Sequence, residues 1–323
     1  MKSIIRLSLL SLLVSAPVSA ITLKIGALAP DGSNWANTIK DMGKEVKKAT
    51  GGKVKFKVYY GGVAGDEPDV LRKIRVGQMH GGVFTGKTLG DIDGDLRALE
   101  IPFNFYSNRE KGFKALKGMT PYLNKKIEKK GFQNLGFYEI GQVYFVSTDK
   151  VESIAQMQGI KIWSWEGDEV VKSMIDSLKL VSVPLALPDV LSSLSTGIIN
   201  AAYAPPLGIL ALQWQSKVKF LIDFPVAYST GALLIDSKKW KKISTANQKI
   251  VSTIAKKYID KANEFAKSDN DAGLETMKSM GIKFVKFDEK DLKKAEVIRG
   301  DVIKKLEGKI ISKEAIKMVN GYR

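Results

Sequence analysis

Two strand-like segments held one helix apart constrain this chain more than any other feature. Residues 22–28 alternate apolar side chains with small or polar ones, and residues 54–60 repeat the pattern. Between them Trp35, Ile39, Met42 and Val46 recur at helical spacing, with Ser33 or Asn34 as N-cap and Gly51-Gly52 as terminator. A second helix is predicted to start near Asp66, with Pro68 in its first turn and Val70, Leu71 and Ile74 inward. Gly77 ends it and releases the chain into a third strand at residues 80–85. A βαβαβ run of this kind predicts a mostly parallel sheet. Open α/β sheets bind ligands beyond the strand C-termini at a topological switch point, which directs attention to Ala29, Pro30, Phe84 and Thr85.

Residues 108–130 read as a capped helix carrying Phe113, Leu116, Leu123 and Ile127. Extended chain follows at 132–147, broken by Gly136 and Gly141, and here the chain is expected to cross into a second α/β domain. That domain comprises a strand at 161–164, a helix at 168–178, a strand at 180–183, a helix opened by Asp189 and a strand at Ala201-Ala202-Tyr203. A returning strand at 227–235 precedes a long helix at 244–265 bearing Ile250, Ile254, Tyr258 and Phe265, and residues 281–287 and a helix at 288–306 complete the pattern. The predicted division is domain I at 21–142 plus 228–270 and domain II at 143–227 plus 271–323. No linker rich in Pro, Gly or Ser separates them, so the domains are expected to be joined by strand crossovers.

The first 20 residues read as a cleavable signal peptide: Lys2 and Arg6 flank the start of an apolar run at 7–14, and Val18-Ser19-Ala20 closes it with small residues. That run is well short of the roughly 20 residues a bilayer crossing needs, and no comparable run follows, so export without stable membrane insertion is expected. With no cysteine in the chain, stability must come from a hydrophobic core alone. Losing Lys2 and Arg6 lowers the formal charge from +17 to +15. The lysines fall in pairs such as Lys47-Lys48, Lys125-Lys126, Lys241-Lys242 and Lys304-Lys305, on helix-like segments without the interleaved aromatics or concentrated stripe of a nucleic-acid surface. They read as solvated helix faces, and no nucleic-acid partner is expected.

Several stretches, taken in order, resemble the periplasmic substrate-binding proteins of TRAP transporters. Gly62-Val63-Ala64-Gly65-Asp66-Glu67 followed by Val76-Gly77-Gln78-Met79 is similar to that family's glycine turn and the helix leading to its third strand. Glu100-Ile101-Pro102-Phe103 is similar to its Leu-Pro-Phe turn, and the run from Pro184 to Ala202 to its loop, helix and Gly-Val-Val-Asp-Gly strand. The resemblance implies a two-domain periplasmic-binding-protein fold of type II-like α/β class, with interleaved domains and a hinge-closed cleft. It also implies a periplasmic location, a small-molecule ligand, TRAP-type membrane permease subunits as partners, and neither enzymatic activity nor a cofactor.

The chain departs from the family at the ligand site. Gln158-Gly159-Ile160-Lys161-Ile162-Trp163-Ser164-Trp165-Glu166 places Trp163 where the family's Gly-Leu-Lys-Ile-Arg puts a carboxylate-clamping arginine. A second arginine expected shortly after Gly141 is replaced by Gln142-Val143-Tyr144. Indole offers one N–H and a broad apolar face where guanidinium offers a fork of donors. Burying a carboxylate without a compensating cation costs several kcal/mol, so the expected ligand is hydrophobic or amphipathic. By position the candidate ligand-binding residues are Trp163, Trp165, Trp35, Phe84, Thr85, Phe103, Gln142, Tyr144, Tyr203, Trp214 and Ser229. An aromatic at a strand end also has a plain role in the core, and Trp214, after the apolar run 205–212, fits a pocket wall or a buried helix equally. A receptor holding an organic acid by backbone N–H groups and hydroxyls is the alternative within this class. Outside it stand a secreted enzyme acting on a lipid or glycan through Glu166 or Asp168, and an adaptor that docks protein.

Three motifs imitate chemistry. Gly81-Gly82-Val83-Phe84-Thr85-Gly86-Lys87-Thr88 satisfies the P-loop expression, but strand residues Val83 and Phe84 lie inside the supposed loop, and Gly90 and Gly94 are expected to weaken any helix after it. Asp91-Ile92-Asp93-Gly94-Asp95 resembles the start of a calcium loop, yet Pro102 stands where the bidentate glutamate belongs. His80 is the sole histidine, which leaves no zinc cluster and marks it as a residue leading into a strand.

Overall fold

A computed structural model of the chain describes residues 20–106 and 108–323; the predicted signal peptide lies, but for its last residue, outside them. The first half runs β1 (Ile21–Gly26), α1 (Asn34–Ala49), β2 (Val54–Tyr59), α2 (Glu67–Arg75), β3 (Gly81–Thr85), α3 (Gly86–Ile92) and α4 (Arg109–Lys129). Strand β4 (Phe132–Ser147) leads into β5 (Lys161–Ser164), α5 (Glu169–Ser177), β6 (Val181–Pro184), α6 (Val190–Thr196), β7 (Ala201–Ala204), α7 (Pro206–Ala211) and β8 (Phe220–Ile222). The return comprises β9 (Ala227–Asp236), α8 (Ser237–Trp240), α9 (Thr245–Ser279), β10 (Lys283–Val285), α10 (Glu289–Leu306) and α11 (Lys313–Asn320).

The strands form an open sheet in the order β2-β1-β3-β9-β4-β7-β5-β6, with β8 joining β4 to β10. Strands β2, β1 and β3 are parallel, as are β7, β5 and β6, while β9 and β4 run antiparallel between the two groups. One strand belongs to both halves: β4 pairs β9 through Val143 and β7 from Tyr144 onward. Its register shifts at Gly136 and Gly141, whose φ values of 154° and 137° lie where residues with a Cβ are strained. The two glycines thus bend a single strand through the crossing.

Helices cover both faces. Ile39, Met42 and Val46 of α1 and Val251, Ile254 and Ala255 of α9 close one face of the first half, while Leu116, Leu123 and Ile127 of α4 close the other. In the second half Val171, Met174 and Ile175 of α5 cover one face, and Val190 and Leu194 of α6, Ile209 of α7 and Trp214 the other. The 35 residues of α9 reach past Phe265, where the sequence pattern ends, to Met277 in the core of the second half. The extension hides behind polar letters because Asn270, although 8% exposed, spends its amide on the backbone: it donates to the Ile140 carbonyl at 2.9 Å and accepts from Leu207 N–H at 3.3 Å.

Packing bears on two expectations. Gly90 does not prevent a helix; α3 forms, and a Cβ at Gly86 or Gly90 would collide with the buried side chains of Glu100 or Arg97. The end of the chain packs on both halves: Ala295 of α10 shares a core with Val171 and Met174 of α5, while Val302 and Leu306 of α10 and Ala315, Ile316 and Val319 of α11 pack into the same core as α4. Asp95 anchors that return by accepting from Ser312 N–H (2.6 Å), Ser312 Oγ (2.9 Å) and Tyr122 Oη (2.6 Å). Its neighbour Asp93 caps the short 3-10 turn that begins at Gly94, so the calcium-like acids carry separate structural duties. His80 N–H donates to the Lys24 carbonyl at 2.8 Å and its Nδ1 accepts from Lys24 N–H at 3.1 Å, tying the start of β3 to β1.

Candidate functional site

The C-terminal ends of β3 and β5 face each other across the junction, so the residues that follow them meet. Between them lies a cavity of about 70 Å³. Thr85, Gly86, Lys87, Arg97, Glu100 and Pro102 line it from the first half, Trp165, Asp168, Val170, Met174 and Tyr203 from the second, and Ser229 from β9. Thr85, Trp165, Tyr203 and Ser229 are four of the residues picked out by position in the sequence.

At its centre stands a buried ionic cluster that sequence reading missed. Arg97 Nη1 donates to Asp168 Oδ1 at 3.0 Å across the junction, and its Nε lies 2.9 Å from Glu100 Oε2. Glu100 Oε1 also accepts from Thr230 N–H (3.0 Å) and Ser229 Oγ (3.2 Å), while Asp168 caps α5 by accepting from Val171 N–H (3.0 Å). Burial alone would lower the Arg97 pKa, but Asp168 and Glu100 outweigh it and keep the guanidinium charged. Burial likewise pushes the Glu100 carboxyl up, with Arg97 opposing. The buried hydroxyl of Tyr203 has no hydrogen-bond partner among the described residues. Lys87, the other cation on the cavity wall, is held at 2.6 Å by Asp91.

A second set of contacts closes the junction beside this cavity. Asp66, the N-cap of α2, accepts through Oδ2 from Trp165 Nε1 (2.9 Å) and Leu187 N–H (3.3 Å), both in the second half. The next residue, Glu67, is buried, and its carboxylate oxygens accept from Thr85 N–H (2.8 Å) and Thr85 Oγ1 (3.0 Å). Burial pushes its pKa up to about 8 against the opposing pull of the Thr85 donors.

Trp163 takes a different place from its neighbour. It is 2% exposed, donates Nε1–H to the Leu185 carbonyl at 2.9 Å, and packs against Trp165, Tyr203 and Trp214 with ring centroids 5.0, 5.0 and 5.5 Å away. Phe84 is fully buried in the first-half core, and Trp214 lies in the second-half core with Trp163. Phe103, 5.7 Å from Phe224 and nearly parallel to it, holds a left-handed φ of 59° in the proline turn. Gln142 donates to the carbonyls of Phe105 and Tyr106, and with Tyr144 it borders a small recess near Arg109 and Asn270. None of these six lines the cavity around Arg97.

Trp35 lies apart as well, in an open groove of about 330 Å³ on the α9 side of the junction. Ile140 and Leu207 line that groove with Tyr258 and Phe265 of α9, and the Trp35 ring meets Tyr138 at 4.4 Å. The helical periodicity exposed Tyr258 and Phe265 as positions, but nothing in it told which face α1 and α7 would leave open.

A family model for bacterial extracellular solute-binding proteins, family 7, matches residues 25–309. A curated solute-binding protein of Chromohalobacter salexigens is 28% identical over 196 residues, which cover 60% of this chain and 58% of that one. Among solved structures, a TRAP periplasmic solute binding protein from Desulfovibrio salexigens with bound orotic acid superposes with a TM-score of 0.83 at 17% identity, covering 93% of this chain and 97% of that one. An extracytoplasmic solute receptor of Bordetella pertussis binding pyroglutamic acid gives 0.86 at 18% identity, with coverages of 94% and 100%. These likenesses show the shared fold, and among the described residues no helix is long and apolar enough to cross a membrane.

Proposed function

Because the chain belongs to the bacterial extracellular solute-binding proteins of family 7, we propose that it is a periplasmic receptor closing its two domains around a small hydrophobic or amphipathic solute for delivery to a TRAP-type membrane transporter. The observation that carries the ligand class is the state of the cations and indoles at the junction. Trp163 stands where the family resemblance expects the arginine, and its only N–H is already given to Leu185. Arg97 lies between two carboxylates and Lys87 beside a third, so each cation lining the cavity is paired. A solute carboxylate placed there would find each lining cation already held by a carboxyl group and no free partner of its own, at a cost of several kcal/mol. Apolar surface buried by closure contributes about 25 cal/mol per Å² before ordering costs, and aromatic walls suit it.

A second reading is supported by the relatives that bind orotic acid and pyroglutamic acid: an organic acid held without the usual arginine, through backbone N–H groups and the hydroxyls of Thr85, Tyr203 and Ser229. Extraction and mass spectrometry of protein purified under non-denaturing conditions from its native compartment separates the two. A stoichiometric apolar or amphipathic species is the expected result. A stoichiometric carboxylate would overturn the ligand class and leave the receptor role standing.

A further inference from the structure

The two polar bridges across the junction share one construction. Asp66 caps α2 in the first half through Oδ1, accepting from Glu67 N–H at 2.8 Å, and turns Oδ2 to Trp165 Nε1 and Leu187 N–H of the second. Asp168 caps α5 in the second half, accepting from Val171 N–H at 3.0 Å, and takes Arg97 Nη1 of the first. Each half therefore offers a helix-capping aspartate, and each aspartate receives donors from the opposite half.

We propose that this reciprocal pair, Asp66 with Trp165 and Asp168 with Arg97, positions the two halves and sets how readily the cleft closes on its solute; the proposal rests on the hinge-closing reading above. The capping bonds lie within one half and survive opening, so they hold each carboxylate aimed across the junction. The bridging bonds exist only with the halves together. Hydrogen bonds with a charged partner are stronger than neutral ones, and Arg97 and Asp168 are both nearly withdrawn from water, which sharpens the dependence on geometry. Opening would hydrate them instead. Closure is then determined in part by four side chains, three of which also line the cavity, and changing a bridge shifts the open–closed equilibrium.

The absence of cysteine allows a clean measurement. Val76 at the end of α2 and Ile198 after α6 are exposed on opposite halves, so a Val76→Cys/Ile198→Cys pair takes two spin labels for pulsed dipolar distance measurement. Trp165→Phe removes one N–H and keeps a ring. Arg97→Gln removes the charge, and thermal midpoints of both variants establish that they are folded. Each variant is expected to lower the ratio of closed to open populations in the distance distribution by about tenfold, the equivalent of about 1.4 kcal/mol. If Arg97→Gln fails to fold, Trp165→Phe alone decides. Distance distributions identical to the parent's in the folded variants would overturn the proposal. A parent whose distances stay the same before and after unfolding, removal of co-purified small molecules and refolding would instead sink the hinge-closing reading beneath it.

Discussion

Glu67 shows how far burial can move one residue's chemistry. Its carboxyl is enclosed, with Thr85 as the main hydrogen-bond donor, and is pushed up to about 8 from an ordinary value of 4.5. The folded state therefore holds a proton that the unfolded chain releases. That contribution is complete below the ordinary value and is lost as pH rises through 8, on the order of 5 kcal/mol across the window. Glu67→Gln is expected to flatten this part of the pH profile, which denaturant midpoints between pH 5 and 9 will read. Trp163 illustrates the opposite case, a residue singled out for recognition that is enclosed by other rings. Trp163→Ala is expected to cost roughly 3–5 kcal/mol of stability in urea unfolding, whereas Trp165→Phe keeps most of its packing and costs less than about 1.5 kcal/mol. A Trp163→Ala protein of unaltered stability would contradict this placement. The sequence located both indoles by resemblance, but alternation along a strand could not say that one faces a core and the other a carboxylate in the opposite half.

Among the elements, β4 and α9 connect the halves. Gly141 holds φ 137° at the bulge of β4, and a Cβ there would lie 2.7 Å from the Asn270 amide nitrogen. Gly141→Ala must therefore strain the backbone and push away the side chain that ties Ile140 to Leu207. A loss of about 2–4 kcal/mol is expected in thermal or denaturant unfolding. Breaks at Gly136 and Gly141 were legible because glycine interrupts an otherwise extended pattern. The full length of α9 was not, because Asn270 is polar in sequence and buried in space. Likewise, α3 was obscured by its glycines, whose use is to admit the side chains of Arg97 and Glu100 at close range.

At the scale of the whole molecule, two α/β halves meet at their strand ends. Solute capture is expected to reduce the radius of gyration measured by small-angle scattering when the molecules extracted from native protein are returned to stripped protein. An unchanged radius would argue against closure. The lysine pairs named from the sequence lie largely on exposed faces, with Lys126 turned toward Asp95 at 2.6 Å as an exception. Periodicity and capping residues by themselves determined most strands and helices, because those signals are local and repeat every two or 3.6 residues. Ordered motifs added the family and the two-domain α/β fold. The tertiary structure alone decided that α10 packs on both halves, that Arg97 stands between Glu100 and Asp168, and that Asp66 reaches Trp165. Those pairings join residues 71 and 99 positions apart for the two bridges, and the free energy that selects them is desolvation and packing at the junction, for which no local pattern in the chain is required.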